Sequence, residues 1–99
     1  MSLNPTQKRY LRGLGHELHP LVRTGSAGLT EAVLAELERA LTDHELVKIR
    51  LLADDREQRS RYLEQVLSTT GAELVQRVGH VVLLYRPNPE KRRGRIALP

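Results

Sequence analysis

The residues with the most chemical potential are a turn of small ones, Gly25-Ser26-Ala27-Gly28, set between a short apolar segment and a segment of helical periodicity. Two glycines let backbone N–H groups turn outward and admit a ligand without Cβ collisions, and a helix N-terminus beyond them adds partial positive charge. Such a loop suits a phosphate, although glycines at this spacing also serve as plain turn chemistry. Arg23 stands just before the loop, and Lys8, Arg9 and Arg12 recur upstream at helical spacing, so cations accompany it. No lysine follows Gly28 and no third glycine is present, which disfavours nucleotide hydrolysis and dinucleotide binding.

Other chemistries find less support. His16 and His19 straddle a helix end before Pro20, while His44 and His80 fall on separate connections, so no metal-ligand spacing emerges. Asp54 and Asp55 read as a helix cap, and Glu31, Glu36, Glu38, Glu57 and Glu64 read as solvated helix faces. Without a catalytic constellation, neither an enzyme nor a cofactor is implied. The aromatic residues are Tyr10, Tyr62 and Tyr85 alone, too few for the paired stacking platforms of an RNA-recognition motif. Tyr62 is expected in the core, and Tyr10 is expected to pack over its helix rather than stack on a base.

These residues need elements to position them. Leu11, Leu14 and Leu18 give a first helix over residues 6–15 an apolar stripe, with Lys8, Arg9 and Arg12 away from it. Residues 21–24 read as a short strand, and Thr30 caps a helix whose Val33, Leu34, Leu37, Ala40 and Leu41 form one face. Residues 45–52 alternate as a half-buried strand with Lys48 and Arg50 on its polar face. Asp54 or Asp55 caps a third helix that carries Tyr62, Leu63, Val66 and Leu67 and ends at Gly71. Strands at 73–78 and 81–86 flank Gly79-His80, a tight hairpin turn. The order α-β-α-β-α-β-β predicts an α/β fold, a two-layer sandwich with a mixed four-stranded sheet. One domain fills residues 1–87. Residues 88–99, rich in Pro, Arg, Lys and Gly, form a basic tail expected to be flexible unless it docks.

The chain has 99 residues and a net charge of +4, unevenly spread. Residues 1–28 hold four bases against one acid, residues 29–73 six against ten, and residues 74–99 six against one. Positive charge gathered at both chain ends favours an anionic partner, nucleic acid first, while solvation of a soluble protein remains the plain alternative. The longest apolar run, Val81 to Tyr85, is far short of the roughly 20 residues that span a bilayer, so no membrane partner is expected. The first residues lack a signal-peptide pattern and there is no cysteine, which leads us to expect a cytoplasmic protein.

Several segments, in order, resemble the YhbY-type CRM domain, an RNA-binding module. They are Gln7 to Pro20, Gly25-Ser26-Ala27-Gly28-Leu29-Thr30, His44 to Ile49, Asp55-Arg56, Thr70-Gly71-Ala72, Val78-Gly79-His80, Leu84 to Pro87 and Ile96-Ala97-Leu98-Pro99. The resemblance implies a fold like the C-terminal domain of initiation factor three and association with precursor large-subunit ribosomal RNA in a pre-ribosomal particle. Together with the charge pattern it nominates Lys8, Arg9, Arg12, His16, Arg23, Gly25, Ser26, Ala27, Gly28, Lys91, Arg92, Arg93 and Arg95 as RNA-binding residues of a monomer. On this reading Gly28→Asp weakens RNA binding and leaves the melting temperature near wild type. A protein-interaction module that uses the acidic faces of the second and third helices is the rival reading, and a small nuclease the third.

Overall fold

The computed structural model describes residues 2–99. Its elements are α1 (Pro5–Gly15), β1 (Val22–Arg23), α2 (Glu31–His44), β2 (Leu46–Arg50), α3 (Arg56–Thr70), β3 (Glu73–Val78) and β4 (Val81–Tyr85). Local chemistry sets their ends. Asn4 and Gln7 form a reciprocal capping box at α1, with Asn4 Oδ1 accepting from Gln7 N at 2.8 Å and Gln7 Oε1 from Asn4 N at 3.1 Å. Thr30 and Asp55 cap α2 and α3 through the N–H groups of Val33 and Gln58, and Gly71 closes α3 in the left-handed conformation.

The sheet runs β1-β2-β4-β3, with β1 parallel to β2 and the other pairs antiparallel. The expected element order and mixed four-stranded sheet are present, and the last strand inserts between β2 and β3. Alternate residues of each strand face opposite sides. Val22, Val47, Ile49, Leu51, Val82 and Leu84 pack with Leu37 and Leu41 of α2 and Val66 of α3. That half is the expected two-layer sandwich. Leu46, Leu83, Tyr85 and Val75 point the other way and pack with Leu3 and with Leu11 of α1, so α1 adds a third layer on the opposite face. Of the predicted apolar stripe on α1 only Leu11 is buried, while Leu14 and Leu18 are exposed. The inward face continues instead through Gly15, where an added Cβ would lie 2.6 Å from Leu83 Cδ2.

The C-terminal segment, left open by composition, makes docking contacts. Ile96 and Leu98 pack against the α1 side of the core, and Gln7 Nε2 donates to the Pro99 carbonyl at 3.3 Å. Glu45, between α2 and β2, is fully buried with φ of 63°. Its Oε2 accepts from Asn88 N at 2.7 Å and its Oε1 from Ile96 N at 2.8 Å. Burial, assisted by the Glu45 carboxylate and opposed by Arg95, pushes the Tyr85 phenol above its ordinary value of 10.0. A raised phenol contributes stability that is complete below the unfolded value and lost as pH climbs through the folded one. The urea midpoint should therefore hold up to about pH 9 and fall as pH climbs past 10.0, and Tyr85→Phe should make that fall smaller; an equal fall in both proteins would remove Tyr85 as the cause.

Candidate nucleic-acid interface

Arg9, Arg12 and Gly13 of α1 and its C-cap His16 follow one another at helical spacing and form one wall of a surface groove of about 690 Å3. Its floor is Lys48 of β2, Gln76 and Val78 of β3 and Val81 and Leu83 of β4. The cations stand over the face of the sheet that α1 only partly covers. Lys48 Nζ donates to the Leu18 carbonyl at 3.0 Å, which ties the chain after α1 to β2 and holds the ammonium at the groove. Among the described residues, neither Arg9 nor Arg12 enters a salt bridge.

Strand register extends this surface. Arg50 lies beside Val81 and Arg23 lies beside Arg50, so the row Val81-Arg50-Arg23 crosses the sheet from the groove to its β1 edge. Two exposed arginines directly opposite one another repel unless an anion lies between them. Arg77, grouped by simple alternation with Lys48 and Arg50, pairs instead with Val82 on the α2–α3 face. The cause is a bulge between Leu74 and Gln76, which puts both Val75 and Gln76 on the α1 side and turns Arg77 away.

Beyond Arg23, the Gly25–Gly28 loop is a tight turn closed by Gly28 N donating to the Gly25 carbonyl at 3.0 Å. The N–H groups of Ser26 and Ala27 have no backbone acceptor among the described residues. Gly28 itself has φ of 78°, and a Cβ there would overlap the Tyr62 hydroxyl. This overturns the expectation that Gly28→Asp leaves stability untouched. The loop borders its own hollow of about 410 Å3 with Leu52, Ala53, Asp54, Gln58 and Tyr62, so the charged neighbour there is an acid and the α1 cations lie elsewhere. Loop and groove share no lining residue, and Arg50 and Arg23 lie in register between Val81 of the groove and the chain that leads into the loop. Buried Thr24 anchors the loop, its Oγ1 accepting from Leu52 N at 2.8 Å and donating to Leu52 O at 3.2 Å. Thr24→Val keeps the branched shape and removes both bonds, so the urea-derived stability should drop by about 1–2 kcal/mol. A change near zero would mean that solvent replaces the hydroxyl.

The remaining nominated residues divide. Lys8 is half-buried and outside the groove lining, while Arg92, Arg93 and Arg95 are exposed and Lys91 partly so. Arg86 is spent structurally, its guanidinium bridging the Glu38 carboxylate, the Thr70 carbonyl at 2.9 Å and Thr42 Oγ1 at 2.9 Å. Tyr10, expected to pack over α1, is 42% exposed. Among the described residues, no group of three His, Asp or Glu side chains gathers to hold a metal ion, and no helix is long and apolar enough to cross a membrane.

A family model described as the CRS1 / YhbY (CRM) domain matches residues 3–86, from the chain before α1 to the end of β4. The chain belongs to the CRM domain family. The chain is 44% identical over 98 residues to an RNA-binding protein of Haemophilus influenzae, covering 99% of this chain and 96% of that protein. A Bacillus subtilis protein named "Probable RNA-binding protein YqeI" is 30% identical over 98% of this chain and 99% of its own. The solution structure of the hypothetical protein SAV1595 from Staphylococcus aureus superposes with a TM-score of 0.80 at 32% identity, covering 99% of this chain and 100% of that one.

Proposed function

We propose that this CRM domain binds RNA of the precursor large ribosomal subunit during assembly in the cytoplasm, acting without catalysis on the pre-ribosomal particle. The observation that carries RNA binding is the groove itself. Arg9, Arg12, His16 and Lys48 surround a space walled by helix and floored by sheet, and Arg50 and Arg23 continue it as a like-charged pair that an anion relieves. Phosphates positioned along this row would reach the Gly25–Gly28 loop, where the N–H groups of Ser26 and Ala27 supply further donors. The names of the H. influenzae and B. subtilis relatives support the RNA partner. The ribosomal precursor rests on the family resemblance.

Arg9, Arg12, Arg23, Lys48 and Arg50 offer about five phosphate contacts, so affinity for single-stranded RNA should fall with a log-log salt slope of roughly −3.5. A slope near zero would remove this account. In lysate gradients the protein should travel with large-subunit precursors at low salt and leave them at high salt. A second reading, recruitment of a protein partner, draws on exposed Leu14, Leu18 and Leu21 around a hollow of about 510 Å3. It predicts association that survives high salt and nuclease.

A further inference from the structure

The structure assigns to Glu45 the role of a positioning residue that holds residues 89–95 as a preformed basic loop for RNA. The inference rests on the RNA reading above and concerns a different part of the chain. Glu45 is fully buried, and each of its two carboxylate oxygens accepts one backbone N–H, from Asn88 and from Ile96. One carboxylate thus pins both ends of the intervening segment. Everything between the pins is polar or small: Pro89, Glu90, Lys91, Arg92, Arg93, Gly94 and Arg95.

The segment is further shaped from within. Lys91 N donates to the Asn88 carbonyl at 3.1 Å, Glu90 N donates to Asn88 Oδ1 at 3.1 Å, and Asn88 Nδ2 reaches the Thr42 carbonyl at 3.0 Å. Gly94 turns the chain with φ of 71°. Beyond the second pin, Ile96 and Leu98 fasten the chain to the α1 side of the core. Arg92, Arg93 and Arg95 stay exposed. Four cations are therefore presented on a loop whose ends are fixed, and an RNA phosphate meeting them is spared much of the cost of ordering a free tail. The positive φ at Glu45 fits this role, because the strained turn out of α2 is what places the carboxylate under the tail.

Glu45→Gln tests the assignment. The amide retains one acceptor oxygen and turns donors toward the other N–H, so one pin must open. Affinity for a single-stranded RNA oligonucleotide at low salt should fall about tenfold, and amide hydrogen exchange at Asn88 and Ile96 should accelerate while the core of the sheet stays protected. The decisive step is to repeat the substitution with Lys91, Arg92, Arg93 and Arg95 all changed to alanine. In that background Glu45→Gln should no longer alter affinity. An equal loss in both backgrounds would make Glu45 merely structural, and no loss in either would equally overturn the assignment. Ile96→Pro removes one pinning N–H and leaves the carboxylate in place, with Ile96→Ala as the control for the lost side-chain packing, and it should reproduce the loss beyond that control if the Glu45 variant folds poorly. Failure of the unaltered protein to bind RNA would instead refute the RNA reading, with hydrogen exchange still reporting whether the pins exist.

Discussion

Arg9→Glu combined with Arg12→Glu is expected to lower affinity for single-stranded RNA about a hundredfold at 0.1 M salt while the fold is retained. Each phosphate contact on a single strand contributes a salt exponent of about 0.7, which at 0.1 M salt amounts to roughly fivefold in affinity. Losing two contacts therefore costs about 25-fold, and replacing cations with carboxylates adds repulsion of the backbone. The salt slope should become shallower by about 1.4. Neither guanidinium enters a salt bridge among the described residues, and both line the groove, whereas Leu11 and Gly15 are the residues of α1 that are buried against the sheet. The melting temperature should accordingly stay within a few degrees of wild type. An unchanged affinity would move the RNA off this groove. A large loss of stability would mean that the arginine stems support α1, and it would disqualify the binding result.

Whether such a groove exists was only half legible in the sequence. Helix caps and strand alternation are local signals, and Thr30, Asp55 and Gly71 do at their positions what their types imply. The arginines and histidine at 9, 12 and 16 share a helix face by spacing alone. Lys48 joins them only because α1 crosses the sheet at Leu83, a contact that needs Gly15 without a side chain. Leu14 and Leu18, which periodicity assigns to the core, are exposed, because the face of α1 that meets the sheet runs through Leu11 and Gly15. Simple alternation along β3 puts Arg77 on the face of Lys48 and Arg50, and the bulge at Val75 that turns it away carries no glycine or proline to signal it. Glu45 looked like the first residue of a strand. Its partners are two backbone N–H groups 43 and 51 residues away, and no pattern in side-chain types records a bond to the main chain of a distant segment.

The Gly25–Gly28 loop illustrates how a functional-looking glycine can be held by structure first. Gly28→Asp should cost about 2–3 kcal/mol of folding stability, lowering the melting temperature of a domain this size by roughly 10 °C or more. Part of the cost is the left-handed backbone, about 1 kcal/mol for a residue with a Cβ. The rest arises because the new Cβ overlaps the Tyr62 hydroxyl and approaches Cζ to 3.3 Å, so the ring must leave its place against the main core. The two parts can be separated. Gly28→Ala made together with Tyr62→Phe should recover part of the loss, since the hydroxyl is the first atom struck, whereas the backbone cost persists. Equal losses with and without the hydroxyl would show that backbone strain alone governs the site. Gly25 is the cleaner probe of phosphate contact, because its φ is not positive and a Cβ there meets nothing within 4 Å. Gly25→Asp should thus keep the melting temperature near wild type and weaken RNA binding if the backbone donors of Ser26 and Ala27 touch phosphate. If folding and affinity both stay intact, the loop is a strut between β1 and α3, and the arginine row alone carries the RNA.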